Sequence, residues 1–153
     1  MDIKTSLESA YPEIKRAGVV EEYLIHWGDM DAAQHVNNLI YLRWCESARI
    51  SYFKAIGIDT SFTDNVGPIL GWMDAKYIRP LTFPDQVIVT TSTIEIKSDR
   101  LVLEGRVYSQ TVGKLAFISK QEIIPYDYKS LCKAETPTNW LINIKNLQPS
   151  SEF

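Results

Sequence analysis

The sequence predicts an α+β fold, one antiparallel sheet packed on one long buried helix. Three observations predict it. The chain has 153 residues, the size of one ordinary domain. One stretch, from about Asn38 to Ile56, repeats its apolar residues at helical spacing. Four strand-like segments with tight turns between them follow it. A strand, a long helix and then hairpin-linked strands is the order of an α+β unit.

Taken in order, Val19 to Trp27 is β-branched and aromatic and places Tyr23, Ile25 and Trp27 on one face, as in a strand. In the helical stretch, Tyr41, Cys45, Ala48 and Tyr52 recur together, with Leu42, Arg49, Phe53 and Ile56 beside them. So wide a stripe predicts a helix buried along most of its length under a wrapping sheet. Asn37 or Asn38 can cap its start, and Gly57 can end it. The strands are predicted near Ile69–Arg79, Val87–Lys97, Arg100–Gln110 and Lys114–Ile124. The second alternates Val87, Val89, Thr91 and Thr93 against Ile88, Thr90, Ser92 and Ile94, a two-residue period. Ser98-Asp99 and Thr111-Val112-Gly113 read as hairpin turns. Pro80, Pro84 and Pro125 mark strand ends, where a missing N–H is tolerated. Thr136-Pro137, followed by Trp140, Leu141 and Ile144, predicts a short last helix over about 137–145 with Pro at its first position. The whole chain, 1–153, reads as one domain with its core over about 19–125.

Composition narrows the function. The chain is 45% hydrophobic and 23% charged with a net charge of −3, which fits a globular domain and disfavours a basic nucleic-acid binder. No stretch reaches the ~18 apolar residues of a membrane span. The N-terminus has no apolar core of a secretory signal, so the expected place is the cytoplasm. Cys45 and Cys132 lie far apart in no CxxC pair and read as free thiols in a reducing compartment. The 4 Trp and 8 Tyr are many for this length. Expected places are the helix for Tyr41, Trp44 and Tyr52, and the wrapping strands for Trp27, Trp72 and Tyr77.

The densest chemistry lies between His26 and Tyr41. Both histidines of the chain are there, with Asp29, Asp31, Asn37 and Asn38. The stretch sits where a strand delivers the chain to a helix N-terminus, which presents unpaired N–H groups and a partial positive charge. Such an end can polarise a carbonyl or hold an oxyanion. A carboxylate just ahead of it can be a nucleophile or a base. Spacing alone also fits a turn with a helix cap. His26 and His35 show no metal-ligand spacing, so no metal is expected.

The residues carry more than spacing. Asp29-Met30-Asp31-Ala32-Ala33-Gln34-His35-Val36-Asn37-Asn38, then Tyr41, then Glu46, Ala48 and Arg49, resembles the hotdog-fold acyl-CoA thioesterases. These are the relatives of 4-hydroxybenzoyl-CoA thioesterase and of the bacterial long-chain acyl-CoA thioesterases. The string from His35 to Tyr41 also looks like the plant acyl-ACP thioesterases, which carry Asn where this chain has Ala33. The motif covers about Trp27 to Tyr52, and the order of strands agrees from Val19 to about Ile124. Many enzymes closer to 4-hydroxybenzoyl-CoA thioesterase lack His at the position of His35.

The resemblance implies a sheet wrapped around the helix, a homodimer, often a tetramer of two dimers, and active sites at the chain interface. It implies a thioester of coenzyme A or of acyl carrier protein as substrate and no other cofactor. It places the catalytic carboxylate on Asp31 and the carbonyl-polarising backbone N–H on or near Asn38. His35 joins them as a hydrogen-bond partner of Asp31, an orienter of water or a brace of the loop. Asp29 is expected to hold the loop through backbone N–H groups. On the substrate side, Asn37, Tyr41 and Trp72 are candidates for contact. Lys97 and Arg100, flanking the turn at Ser98-Asp99, are candidates for the phosphates, ahead of Lys76, Arg79 and Lys120. Glu46 and Arg49 are expected to pair along the helix. The acyl pocket is expected to depend on the loop around Phe62–Gly67. Competing activities on the same fold are a hydratase or dehydratase and a non-catalytic acyl-thioester binding protein.

Overall fold

The computed structural model describes residues 3–58 and 66–152. In chain order its elements are α1 (Ile3–Ala10), α2 (Glu13–Arg16), β1 (Val19–Leu24), α3 (Asn38–Ala55), β2 (Val66–Met73), β3 (Lys76–Tyr77), β4 (Gln86–Lys97), β5 (Arg100–Ser109), β6 (Lys114–Asp127), β7 (Cys132–Lys133) and α4 (Thr138–Leu147). The strands form one antiparallel sheet in the order β1-β4-β5-β6-β2, with β3 and β7 also paired to β6. The sheet curls around α3, so the hotdog fold expected from the sequence is present. The loop thought to close over the helix, around Phe62–Gly67, lies outside the described residues up to Asn65. Val66 and Gly67 begin β2.

The ends of α3 follow from local chemistry. Asn37 is the cap: its Oδ1 accepts the Leu39 N–H at 2.9 Å. At the other end the Gly57 N–H reaches the Lys54 carbonyl at 3.1 Å, and the Ile58 N–H the Phe53 carbonyl at 2.9 Å. This is a Schellman closure, and it needs the left-handed φ of +75° found at Gly57. A Cβ there would also stand 2.8 Å from Asn143 Nδ2. Gly57→Ala is therefore expected to destabilise the fold by about 1–2 kcal/mol, read as a lower urea midpoint at unchanged slope.

One face of α3 supplies two apolar clusters. Near its N-terminal half, Tyr41, Trp44, Cys45 and Ala48 pack with Val87, Val89, Val107 and Phe117. Near its C-terminal half, Tyr52, Phe53 and Ile56 pack with Leu101, Leu103 and Ile123, and α4 closes that end with Trp140 and Ile144. The Tyr52 hydroxyl donates to Gln148 at 2.8 Å and lies 2.6 Å from the Thr93 hydroxyl. Burial pushes its acidity down, with the pKa raised to about 12. The helix is less enclosed than its stripe predicts. Leu39, Arg43, Glu46, Ile50 and Lys54 stay exposed in this chain and trace a stripe on the face away from the sheet.

Four features depart from the sequence reading. The helices α1 and α2 lie on the other face of the sheet, where Leu7 and Ile14 bury Ile88 and Tyr108. They explain why β4 is buried on both faces over Val87–Thr91. The predicted strand Ile69–Arg79 breaks into β2 and β3. Pro125 does not end β6, because it faces Pro68 of β2 across the ladder. Two prolines can oppose each other at a pair that exchanges no hydrogen bonds. Pro137 precedes the last helix with an extended ψ of 136°, as its cap residue rather than its first turn.

Cys45 is fully buried and its thiol pKa is pushed up to about 12 by burial. Cys132 is exposed. Since the thiolate is the reacting form, one thiol per native chain is expected to react with a thiol reagent at pH 8, and two after unfolding. Two fast-reacting native thiols would contradict this packing.

Candidate active site

The segment between β1 and α3 is shaped by its own polar groups. A 3-10 turn over Trp27–Asp29 opens it. Asp29 Oδ2 accepts the His26 N–H at 2.8 Å, and the Asp29 carbonyl accepts the Asn37 N–H at 2.8 Å. Asp29 thus braces the loop, as its sequence context suggests. Trp27, expected on a wrapping strand, instead stands 74% exposed on this turn.

Asp31 begins a tight reversal. Its N–H donates to the His35 carbonyl, and its carbonyl accepts the Gln34 N–H, both at 2.9 Å. Gln34 has a φ of +60°, which costs a side-chain-bearing residue about 1–2 kcal/mol. Strain of this kind gathers at functional loops. Asp31 Oδ1 accepts the Ala33 N–H at 2.8 Å. One carboxylate oxygen is thus fixed, and among the described residues nothing donates to the other; the residue is exposed.

The start of α3 leaves a donor open. Leu39 N–H is taken by Asn37 Oδ1 and Ile40 N–H by the Asn37 carbonyl at 2.9 Å. Asn38 is the first helical residue, and among the described residues nothing accepts its N–H. The Tyr77 hydroxyl donates to the Asn38 carbonyl at 3.0 Å and ties β3 to this helix end.

Asp31, His35, Asn38 and Tyr41 line one pocket of about 340 Å³, together with Val36, Tyr77, Ile78, Arg79 and Pro80. Four residues singled out in sequence therefore meet. Among the described residues no hydrogen bond joins the side chains of Asp31 and His35; their link is through the backbone. Tyr41 is only 3% exposed yet touches the pocket. Its hydroxyl accepts the Leu81 N–H at 3.1 Å and donates to the Arg79 carbonyl at 3.4 Å. Its ring packs with Tyr77 and Phe117 at centroid distances of 5.3 and 5.4 Å, contacts worth roughly 0.5–1.5 kcal/mol each beyond area burial.

Other candidates lie elsewhere. Asn37 is not on the pocket wall, because its side chain caps α3. Trp72 is on β2, half exposed. Lys97 and Arg100 flank the β4–β5 turn as expected. That turn is beside the C-terminal half of α3, and an 18-residue helix spans about 27 Å. They therefore stand away from the Asp31 pocket of their own chain. Arg100 is also held by Asp99 at 2.7 Å and Glu122 at 2.5 Å, and Lys97 lies 3.6 Å from Glu95. Glu46 reaches Arg49 only at 4.0 Å and is largely exposed. The main partner of buried Arg49 is Gln121 Oε1, because β6 runs beneath that turn of the helix.

Sequence reasoning ranks Arg79 low and takes Tyr77 for a strand aromatic, yet both face the pocket. Their chain distance from Asp31 hides this. Only the pairing of β3 with β6, Tyr77 opposite Phe117, brings them to the helix start.

A family model described as the thioesterase-like superfamily matches residues 25–144. A search of curated proteins finds no match. Among solved structures, a protein from Pseudomonas aeruginosa assigned as a thioesterase is 25% identical, with 82% of this chain and 96% of that one covered and a TM-score of 0.73. A thioesterase from Thermus thermophilus, solved with coenzyme A and zinc, is 24% identical, with 90% and 99% covered and a TM-score of 0.80. A gentisyl-coenzyme A thioesterase is 22% identical, with 82% and 99% covered and a TM-score of 0.72. The last two likenesses speak for the fold.

Proposed function

The chain belongs to the thioesterase-like superfamily and is a thioester hydrolase, and from that premise we propose that it hydrolyses an acyl-CoA to the free acid and CoA at the Asp31 pocket. The observation that carries the site is the open Asn38 N–H in the same pocket as a half-free carboxylate. The thioester oxygen accepts the Asn38 N–H. As the carbonyl carbon becomes tetrahedral, that dipole stabilises the negative charge on oxygen. Asp31 supplies the attack by one of two routes. Its free oxygen bonds to the carbonyl carbon and a mixed anhydride forms, which water then opens. Alternatively it takes a proton from water, whose oxygen bonds to the carbon. In both, the C–S bond breaks: in the first the CoA sulfur leaves as a thiolate and takes its proton from solvent, in the second it takes the proton that Asp31 removed from water.

Thiol release from short, long and aromatic acyl-CoAs tests the reading, and release from none of them would sink it. A single turnover in heavy-oxygen water separates the routes. Label in the Asp31 peptide is an outcome of the anhydride route alone; where the label is only in the released acid, hydroxylamine capture of the Asp31 carboxyl during turnover marks the anhydride and its absence the water route.

The proposed assembly is a homodimer through β2. This is an edge strand without a charged residue, and its Leu70 and Trp72 are 40% and 50% exposed. An open apolar edge invites pairing with another strand, and a second copy supplies one. Such pairing supports a role for Lys97 and Arg100 at the partner's site rather than their own. Sedimentation velocity tests the dimer and separates it from the family's alternative of two dimers forming a tetramer. Two free thiols are in keeping with the cytoplasm.

A further inference from the structure

Arg79 is a cation on the wall of the pocket that holds Asp31. Among the described residues no acidic side chain pairs with it, although it lines the pocket that holds Asp31 and Asn38. Its backbone is well fixed, and its side chain is exposed. The Arg79 N–H donates to the Ala116 carbonyl at 3.1 Å, and its carbonyl accepts the Tyr41 hydroxyl. That hydroxyl also accepts the Leu81 N–H, and the Leu81 carbonyl accepts the Val36 N–H at 2.8 Å. One chain of hydrogen bonds therefore joins Arg79 to the segment that carries Asp31 and His35.

A guanidinium stays charged at any working pH and suits a carboxylate or a phosphate. The phosphates of CoA are badly placed for it. About fourteen bonds separate the thioester carbon from the nearest phosphorus, roughly 16 Å when extended at ~3.5 Å per three bonds. A substrate whose carbonyl meets Asn38 carries its phosphates well outside this pocket. Among the described residues Asp31 is the one acid on the pocket wall, and it keeps its free oxygen for the carbonyl. The anion that Arg79 complements then belongs to the acyl group. Arg79 lines the same pocket as Asp31 and Asn38, so the acyl carboxylate that reaches it lies a short chain away from the reacting carbonyl.

Resting on the thioesterase reading above, we propose that Arg79 selects acyl groups bearing a carboxylate, so that the substrates are CoA thioesters of short dicarboxylic acids. The test compares adipoyl-CoA with hexanoyl-CoA, which match in length. The native chain is expected to favour adipoyl-CoA in kcat/KM by about tenfold or more, the scale of one charged hydrogen bond. Arg79→Gln is expected to bring that ratio near one, and Arg79→Lys to restore part of it. The same loss of ratio is expected with N-acetylcysteamine thioesters, which have no phosphate. A native preference for hexanoyl-CoA, or a ratio unmoved by Arg79→Gln, overturns the proposal. So does a loss that appears equally with both acyl-CoAs and vanishes with the N-acetylcysteamine thioesters, which would assign Arg79 to phosphate. Titration of Asp31→Asn with the two acyl-CoAs reads the same preference without turnover. A chain that prefers adipoyl-CoA in binding but releases no thiol would fail the hydrolase reading alone.

Discussion

Asp31→Asn is expected to lower kcat for acyl-CoA hydrolysis by roughly 1000-fold, with the fold unchanged. Asn is the informative replacement. Its side-chain oxygen can still accept the Ala33 N–H that Asp31 Oδ1 accepts now, so the reversal through Gln34 survives. What is lost is the negative charge and basicity of the second oxygen. Whether that oxygen attacks carbon or takes a proton from water, an amide does neither. General-base contributions run to ~100- to 10,000-fold, and the expected loss sits within that range. The residual rate comes from the helix end and from binding. The measurement is steady-state thiol release beside circular dichroism and a thermal midpoint. A variant with a native midpoint and nearly full turnover would remove Asp31 from the mechanism.

Asn38→Pro is expected to lower kcat by about 100- to 1000-fold, the usual effect of deleting one oxyanion donor. The substitution removes the backbone N–H and little else. Asn38 is the first residue of α3, the helical position at which proline is favoured because its N–H has no partner within the helix. The preceding residue must be extended to accept a following proline, and Asn37 already has φ −58° and ψ 139°. The cap bond from Leu39 N–H to Asn37 Oδ1 does not involve position 38. The thermal midpoint is therefore expected to hold while turnover falls. Asn38→Ala, which keeps the N–H, is expected to lose far less. If the Ala variant fell as far as the Pro variant, the side chain would be the acting group.

The two substitutions also mark how deeply the site is written in local sequence. Asp31, His35, Asn38 and Tyr41 lie within eleven consecutive positions. The turn and the helix start that position them depend on neighbours along the chain: the Asp31 carboxylate on Ala33, the Asn37 amide on Leu39, the Asp29 carboxylate on His26. Such local hydrogen bonds can be read from residue types and spacing. The period of two in β4 and the long stripe of α3 were legible for the same reason, since each reports one element's own geometry.

Residue types and spacing thus carry the α+β order, the central helix with its Asn cap and Gly stop, and the loop that presents Asp31. Which distant residues share that pocket follows from strand pairing instead. Arg79 and Tyr77 arrive because β3 pairs with β6, a contact about forty residues from β3 in the chain. Lys97 and Arg100 are carried to the far end of α3 because β4 and β5 run along the helix before they turn. The N-terminal helices find the back of the sheet through Leu7 and Ile14, too few apolar positions to declare a partner. Register and strand order are set by long-range pairing, whose energy depends on groups with no fixed spacing in the chain. The opening stripe of apolar residues shows the same division. It announced a buried helix, but its exposed side from Leu39 to Lys54 appeared only when the sheet was seen to cover one face.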